Sequence, residues 1–170
     1  MKIKTNFTSN IIPTAHAKGA PAENLYKDQP VNSFPFSIEE LPKNTKYLAF
    51  TLIDHDAIPV CGFSWIHWLV ANVPSKANIL SIPENFSKNS SEKIQGTNSF
   101  ASIFVGQDDT QITQAYVGPT PPDKDHEYTL TAYALSESLN LEQGFYMNQL
   151  YKALDHKLIE KTSIQLIGKK

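Results

Sequence analysis

Short apolar runs separated by turn-forming residues dominate this chain. Three runs have the length of strands and are rich in β-branched and aromatic residues: Tyr47–Asp54, Ile66–Val73 and Tyr128–Leu135. Their apolar positions occupy both faces, which is typical of strands at the centre of a packed sheet. Because eleven prolines and seven glycines punctuate the chain around such runs, the pattern predicts a mainly β protein.

One helical pattern occurs late in the sequence. Apolar side chains recur there at helical spacing with lysines between them, which predicts a helix with one face docked on the sheet, through Met147, Leu150, Tyr151, Leu154 and Leu158. Two polar stretches with prolines and glycines, Ser9–Asn32 and Ser75–Thr97, predict surface loops that contain short helical or extended pieces.

The length of 170 residues lies in the usual range for one domain, so we expect a single domain over residues 1–170. The lone Cys61 cannot form an internal disulfide, and polar residues interrupt any signal-peptide core near the first residue. These features predict a cytoplasmic protein. The most apolar window, Trp65–Ala71, is far shorter than the ~20 residues of a spanning helix, so no membrane span is expected.

The charge pattern argues against nucleic acid as a partner. The chain has 15 lysines, no arginine and 17 acidic residues, and neither half carries a basic excess. A protein that follows phosphates along a nucleic acid normally carries such an excess. Without guanidinium groups, any anion site here must use lysine, histidine, hydroxyl or backbone N–H donors.

Two aspartates follow the first predicted strand, in the segment Asp54–Pro59 (DHDAIP). In extended backbone, Asp54 and Asp56 project to the same side. Two carboxylates this close favour a shared proton or a donor placed between them. The alternative is an Asp-rich turn that ends at Pro59.

Two further segments carry polar residues next to strands. In the second predicted strand, alternation places His67 on one face with Leu69 and Ala71, although a lone histidine in such a run is more often a hydrogen-bonded core residue. The segment 116–128 (YVGPTPPDKDHEY) contains three prolines, which predict a rigid wall. Its His126 and Tyr128 share one face where the next strand begins. A proline-rich surface loop is the alternative.

The ordered set D-x-D-A-(x)-P, W-x-H-W and Y-x-G-P-x-P-P-(x)3-H-x-Y, spread over about Leu48–Leu135, resembles the phosphatidylethanolamine-binding protein family, in particular its bacterial Raf kinase inhibitor-like branch. The resemblance implies a large antiparallel β-sheet packed on a smaller sheet, with a few peripheral helices. It also implies a small anion pocket lined by Asp54, Asp56, His67, His126 and Tyr128, with Gly118, Pro121 and Pro122 at its rim.

The sequence departs from the usual family pattern at two places near this implied pocket. Ile58 stands between the Asp-Ala pair and Pro59. The segment Ala101–Ala115 resembles an insertion beside the pocket, and its Asp108 and Asp109 are expected to add negative charge to the mouth. The ligand preference of the family is therefore not carried over to this chain.

The resemblance implies a non-enzymatic binding protein without a cofactor. Its ligand would be small and anionic or phosphorylated: a phosphate-like anion, a phosphorylethanolamine headgroup or a phosphorylated side chain. Modulation of a kinase or another signalling partner would follow. Imidazole and phenol groups can donate to anionic oxygens, so binding is expected to weaken as His67 and His126 lose protons. The sequence contains no G-x-S-x-G nucleophile elbow.

Two other functions stay open. A metal-dependent hydrolase would use His67, His126, Asp54 and Asp56, whose side chains suit zinc, but no short-spaced pair of histidines anchors such a site. A protease inhibitor, a function the family resemblance includes, would act through residues 101–115 or the N-terminal arm. The oligomeric state also stays open: the resemblance to bacterial members is compatible with a homodimer, but no sequence feature marks an interface.

Overall fold

The computed structural model describes residues 1–75 and 77–170; residue 76, inside the predicted loop 75–97, lies outside the described residues. The strands, in chain order, are β1 (Lys2–Lys4), β2 (Leu25–Tyr26), β3 (Gln29–Pro30), β4 (Phe36–Glu39), β5 (Tyr47–Asp54), β6 (Trp65–Pro74), β7 (Ile79–Ile82), β8 (Ile94–Gln95), β9 (His126–Leu135) and β10 (Leu158–Gly168). The helices are α1 (Ile58–Cys61), α2 (Phe86–Asn89), α3 (Thr110–Thr113) and α4 (Met147–Ala153).

The strands form one large and one small sheet, as the family resemblance implies. The large sheet has five strands in the order β10-β9-β5-β6-β8, and all its neighbouring strands are antiparallel. The small sheet has the order β1-β4-β7 and is also antiparallel. Strands β2 and β3 pair as a separate hairpin. The prediction of a mainly β fold with a few peripheral helices is confirmed.

An aromatic core joins the two sheets. Phe36 of β4 contacts Phe50 of β5 edge to face at a centroid distance of 5.2 Å, and Phe50 contacts Trp68 of β6 at 4.9 Å. On the opposite face of the large sheet, Leu69 of β6 packs with Leu150 of α4. Burial on both faces explains why β5 and its neighbours read as continuous apolar runs.

The three central strands lie where the sequence predicts them. The bounds of β5 agree with the prediction, while β6 begins one residue earlier and β9 two residues earlier than the apolar runs. The predicted loops 9–32 and 75–97 contain the expected short pieces. However, β7 within the second stretch is a strand of the small sheet, with Ile82 buried.

The late helix is shorter than predicted. Helix α4 ends at Ala153 because the chain turns over the following residues, where His156 adopts a left-handed φ of 59°. Leu158, predicted as helical, instead begins β10. Docking through one face is confirmed for Leu150 and Leu154, which are buried, whereas Tyr151 is 55% exposed. Among the described residues, no helix is both long and apolar enough to cross a membrane.

Candidate ligand-binding site

A pocket of about 320 Å³ lies at one end of the large sheet. Asp54 at the end of β5 pairs with Trp65 at the start of β6 and with Tyr128 near the start of β9. Antiparallel pairing therefore brings the three sequence motifs to one edge. Six of the predicted site residues line this pocket: Asp54, His67, Pro121, Pro122, His126 and Tyr128. Asp56 and Gly118 do not line it.

A β-bulge turns His67 towards the pocket. The β5–β6 register steps from Leu52–Trp68 directly to Ile53–Ile66, which leaves His67 without an opposite residue. Strict alternation would place His67 with Leu69, which packs under α4 on the other face. The extra residue of a bulge re-aims its side chain, so the alternation that the sequence suggested is wrong here.

His67 is buried and neutral. Its Nδ1 donates a hydrogen bond to the backbone carbonyl of Val117 at 2.7 Å, and its ring lies edge to face against Tyr128 at 5.1 Å. Burial lowers the pKa of His67 from 6.5 to about 4, in spite of the Val117 carbonyl and the charge of Asp54, which act in the opposite direction. His67 therefore carries no charge near neutral pH, which corrects the expectation that it loses a proton there.

His126 lies between two carboxylates. Its Nδ1 donates to Asp54 Oδ2 at 2.8 Å and its Nε2 donates to Asp123 Oδ1 at 2.9 Å. Burial lowers the pKa of His126, but the hydrogen bonds and charges of Asp54 and Asp123 together outweigh burial and hold it above 6.5. The charged imidazolium satisfies both carboxylates at once. Asp123 was not singled out from the sequence, although it lies only three residues before His126.

The two aspartates of the first motif have separate hydrogen-bond partners. Asp54 Oδ1 accepts from the backbone N–H of Ala57 at 3.0 Å, which fixes a turn directly after β5. Asp56 Oδ2 accepts from the backbone N–H of Glu127 at 3.0 Å and so holds the start of β9. Because the chain leaves the extended conformation after Asp54, the two carboxylates share no donor. Asp56 positions a strand outside the pocket.

Gly118 allows two segments to pack closely. Its N–H donates to the Pro30 carbonyl at 2.8 Å, and a Cβ at this position would clash with the carbonyl oxygen of His16. Lys18 N–H donates to the Pro119 carbonyl at 2.7 Å in the same contact. Gly118 thus fixes the backbone that carries the Val117 carbonyl on one side and the Pro121 wall on the other.

Replacing Gly118 with alanine should lower the free energy of unfolding by about 1–3 kcal/mol or more, because backbone atoms must move to relieve the clash. Urea unfolding measures this loss. Gly106→Ala is the matched control, since Gly106 has a φ of 72° but nothing near its absent Cβ; backbone strain alone should cost it about 1 kcal/mol. A smaller loss for Gly118→Ala than for Gly106→Ala would contradict the packing role.

One wall of the pocket is aromatic and was not predicted. Trp65 and Phe100 line it, with ring centroids 5.2 Å apart, and Phe63 stacks on Trp65 at 5.8 Å. Beyond Phe100, Ile103 and Phe104 are 91% and 82% exposed. The protease-inhibitor alternative would use this exposed tip of the 101–115 segment. Gln29, Cys61 and Thr120 also line the pocket without having been singled out as ligand contacts.

Contrary to the expectation from the sequence, the acidic residues of the 101–115 segment do not add negative charge to the pocket. Neither Asp108 nor Asp109 is among the lining residues. Asp109 Oδ2 accepts from Lys27 at 2.6 Å and from Tyr26 at 3.0 Å, and its Oδ1 caps α3. The charge of Asp109 is therefore compensated by the β2–β3 hairpin. Asp108 is exposed to solvent.

The geometry gives no support to the metal-dependent hydrolase. Over residues 1–75 and 77–170, no group of three or more His, Cys, Asp or Glu side chains is arranged to hold a metal ion. Both ring nitrogens of His126 already face carboxylates, and Nδ1 of His67 faces a carbonyl. Asp56 bonds a backbone N–H outside the pocket.

The two packed sheets, with a pocket at the end of the larger one, define a two-sheet β protein with a concave site. The model of the family described as phosphatidylethanolamine-binding protein matches residues 3–167. The chain therefore belongs to the phosphatidylethanolamine-binding protein family.

Related proteins agree with this assignment. The YxkA protein of Bacillus subtilis is 50% identical over 151 residues, which cover 87% of this chain and 89% of that protein. A UPF0098 protein of Chlamydia trachomatis is 32% identical over 158 residues, covering 91% and 93% of the two chains.

Solved structures show the same fold. The crystal structure of a Chlamydia trachomatis homologue of phosphatidylethanolamine-binding proteins has a TM-score of 0.71 at 26% identity, covering 94% of this chain and 90% of that one. YbcL of Escherichia coli, described as a member of the mammalian PEBP family, has a TM-score of 0.73 and covers 99% and 98% of the two chains. At 22% identity, the likeness to YbcL concerns the fold alone.

Proposed function

We propose that this protein is a non-enzymatic binding protein whose pocket takes a small phosphate-like or phosphorylated ligand. The observation that carries the proposal is the convergence of His67, His126 and Tyr128 on one concave site beside Asp54, which is hydrogen-bonded to His126. Concave sites with a few convergent polar groups are the usual places for small ligands. In its more specific form, the proposal is that the protein modulates a kinase or another signalling partner by binding a phosphorylated side chain of that partner.

The buried carboxylate in the pocket does not prevent an anion from binding. Asp54 accepts one hydrogen bond on each oxygen, from Ala57 N–H and from His126 Nδ1. The imidazolium of His126, which also pairs with Asp123, offsets part of the negative charge of Asp54, so an incoming ligand meets a hydrogen-bonded cluster and not a free carboxylate. The site therefore tolerates a weakly charged, oxygen-rich ligand better than a highly charged one.

Tyr128 supplies a hydrogen-bond donor. Burial, followed by the charge of Asp54, raises the pKa of Tyr128 far above its ordinary value of 10, so its hydroxyl stays protonated at physiological pH. The side chains of Gln29 and Thr120 also line the pocket and can donate. These neutral donors supply hydrogen bonds where the chain lacks arginine.

A covalent mechanism lacks an activated nucleophile. Cys61 lies at the pocket, but its thiol donates to the backbone carbonyl of Phe63 at 3.3 Å. A reactive thiol needs a base such as histidine within hydrogen-bond reach. Within the described part of the chain, no such contact is formed by Cys61. This arrangement favours binding over catalysis.

Isothermal titration with inorganic phosphate, phosphorylethanolamine and phosphoserine should show binding to the wild-type protein. Tyr128→Phe should weaken that binding by about tenfold or more, because a hydrogen bond to a charged group is lost while the ring is kept. Tyr151→Phe is the matched control, since Tyr151 is exposed on α4, away from the pocket residues. Absence of heat with all three probes, or equal effects of the two variants, would overturn the proposal.

A further inference from the structure

We propose that the pocket selects the protonated, monoanionic form of a phosphate group, because His67 presents a hydrogen-bond acceptor to the ligand. This inference rests on the proposed function and adds to it the protonation state of the ligand. The starting point is the hydrogen bond between His67 Nδ1 and the Val117 carbonyl at 2.7 Å. A carbonyl oxygen only accepts, so Nδ1 must carry the ring proton.

The Val117 carbonyl cannot easily turn away from His67. Val117 N–H donates to the His67 carbonyl at 3.3 Å, and the next residue, Gly118, donates to the Pro30 carbonyl at 2.8 Å. The peptide unit that contains this carbonyl and the unit before it are thereby both held. The tautomer of His67 follows from this backbone, and Nε2 is left with a free lone pair.

Nε2 is the ring nitrogen that a ligand meets. His67 lines the pocket with only 4% of its surface exposed. Nε2 has no hydrogen-bond partner in residues 1–75 and 77–170. It is not one of the fully buried polar atoms without a partner, which in these residues are Asn32 Oδ1 and Asn85 Oδ1, so Nε2 can be reached from the cavity. A nearly buried ring with one unpaired acceptor at a cavity is the feature that a ligand donor would satisfy.

The surroundings of His67 keep Nε2 unprotonated. The groups that face it are the Val117 carbonyl, the Asp54 carboxylate, the His126 imidazolium, the Tyr128 phenol and the Cys61 thiol. Asp54 would favour a proton on His67, but its attraction is shared with the imidazolium of His126, which opposes a second positive charge nearby. Burial adds to that opposition.

The pocket should therefore discriminate between tetrahedral anions of the same shape that differ in whether they carry a proton. The monoanion of a phosphate monoester has one P–OH group that donates to Nε2, whereas its dianion has none and places oxygen lone pairs against the nitrogen lone pair. Sulfate has the same tetrahedral geometry and carries no proton at neutral pH. Leaving a buried acceptor unpaired should weaken sulfate binding by about 5- to 150-fold relative to monoanionic phosphate.

The first experiment compares inorganic phosphate with sulfate by calorimetry at pH 6. Wild-type protein should bind phosphate at least about fivefold more tightly than sulfate. His67→Gln should lose this preference, since a glutamine amide can donate as well as accept. His55→Gln is the matched control because His55 is exposed, bonds Ser64 and lies outside the pocket; it should keep the preference.

The second experiment needs only the wild-type protein, and so it stands if His67→Gln does not fold. Phosphorylethanolamine is a phosphate monoester whose phosphate has a second pKa of about 6, so it has no P–OH group at pH 8. Its titration at pH 8 in two buffers of different ionisation heat should show uptake of close to one proton per molecule bound, and sulfate should show none. Equal affinity for sulfate and phosphate, a preference retained by His67→Gln, or binding of phosphorylethanolamine at pH 8 without proton uptake would overturn the inference and leave the proposed function intact. Failure of phosphate, sulfate and phosphorylethanolamine to bind between pH 5 and 8 would instead overturn the proposed function.

Discussion

Replacing His126 with alanine should lower the free energy of unfolding by about 3–5 kcal/mol, because it leaves a buried carboxylate without its cationic partner. The side chains of His126 and Asp54 are 1% and 4% exposed in their 2.8 Å pair. After the substitution, Asp54 would keep the hydrogen bond from Ala57 N–H but would have no cationic partner in the pocket. Urea unfolding near pH 6 measures the loss.

Asp123→Asn is the matched control for the second carboxylate on His126. Its side chain is 52% exposed, so removal of its charge should cost less than about 1 kcal/mol. A loss for Asp123→Asn as large as for His126→Ala would contradict the assignment of Asp54 as the main partner. It would place the stabilising interaction at the surface and not in the pocket.

The effect of His126 should also depend on pH. Its pKa in the folded state lies above 6.5, so the unfolded chain loses the proton first as the pH rises. The stabilisation from the charged pair is therefore complete below about pH 6.5 and decreases as the pH rises through the folded-state pKa. The difference between the wild type and His126→Ala should shrink on the alkaline side, and a constant difference would be inconsistent with a charged His126.

Acidification from pH 6.5 to pH 4 should lower the free energy of unfolding through His67 by an amount on the order of 3 kcal/mol. Burial is the main cause that lowers the pKa of His67 from 6.5 to about 4. Each pKa unit corresponds to about 1.4 kcal/mol. In this range the unfolded chain binds the proton that the folded protein excludes, so stability falls as the pH falls. Urea unfolding at several pH values measures the slope.

His67→Phe should flatten this acid slope, since the buried ring can no longer take up a proton. The substitution also removes the hydrogen bond to Val117, so the comparison concerns the slope and not the absolute stability. His55→Phe controls for histidine content because His55 is exposed. An acid slope in His67→Phe equal to that of the wild type would show that His67 is not the buried group responsible.

The fold was predictable wherever a local pattern reports a tertiary environment. Strand β5 is apolar on both faces because it lies between two packed layers, and its bounds follow directly from its sequence. Strand β10 was not predicted, although Thr162, Ile164 and Leu166 alternate with polar residues. Leu158 continued the helical spacing of α4, and only the left-handed turn at His156 separates the two elements.

The short strands of the small sheet carry too little local signal to be predicted. Strand β4 has four residues, and it is held by Ile3 of β1 and Leu80 of β7 opposite Ile38. Its pairing partners are more than thirty residues away in both directions. A strand of this length is defined by its neighbours more than by its own composition.

By itself, the sequence determined that its three motif segments meet at the end of the large sheet, because these segments adjoin strands that pair directly. Only the tertiary structure decided what those groups do. The bulge turned His67 into the pocket, its burial among distant residues removed its charge, and Asp54 with Asp123 kept the charge on His126. Side-chain direction depends on register and protonation depends on burial, and both are set by contacts between segments far apart in the chain.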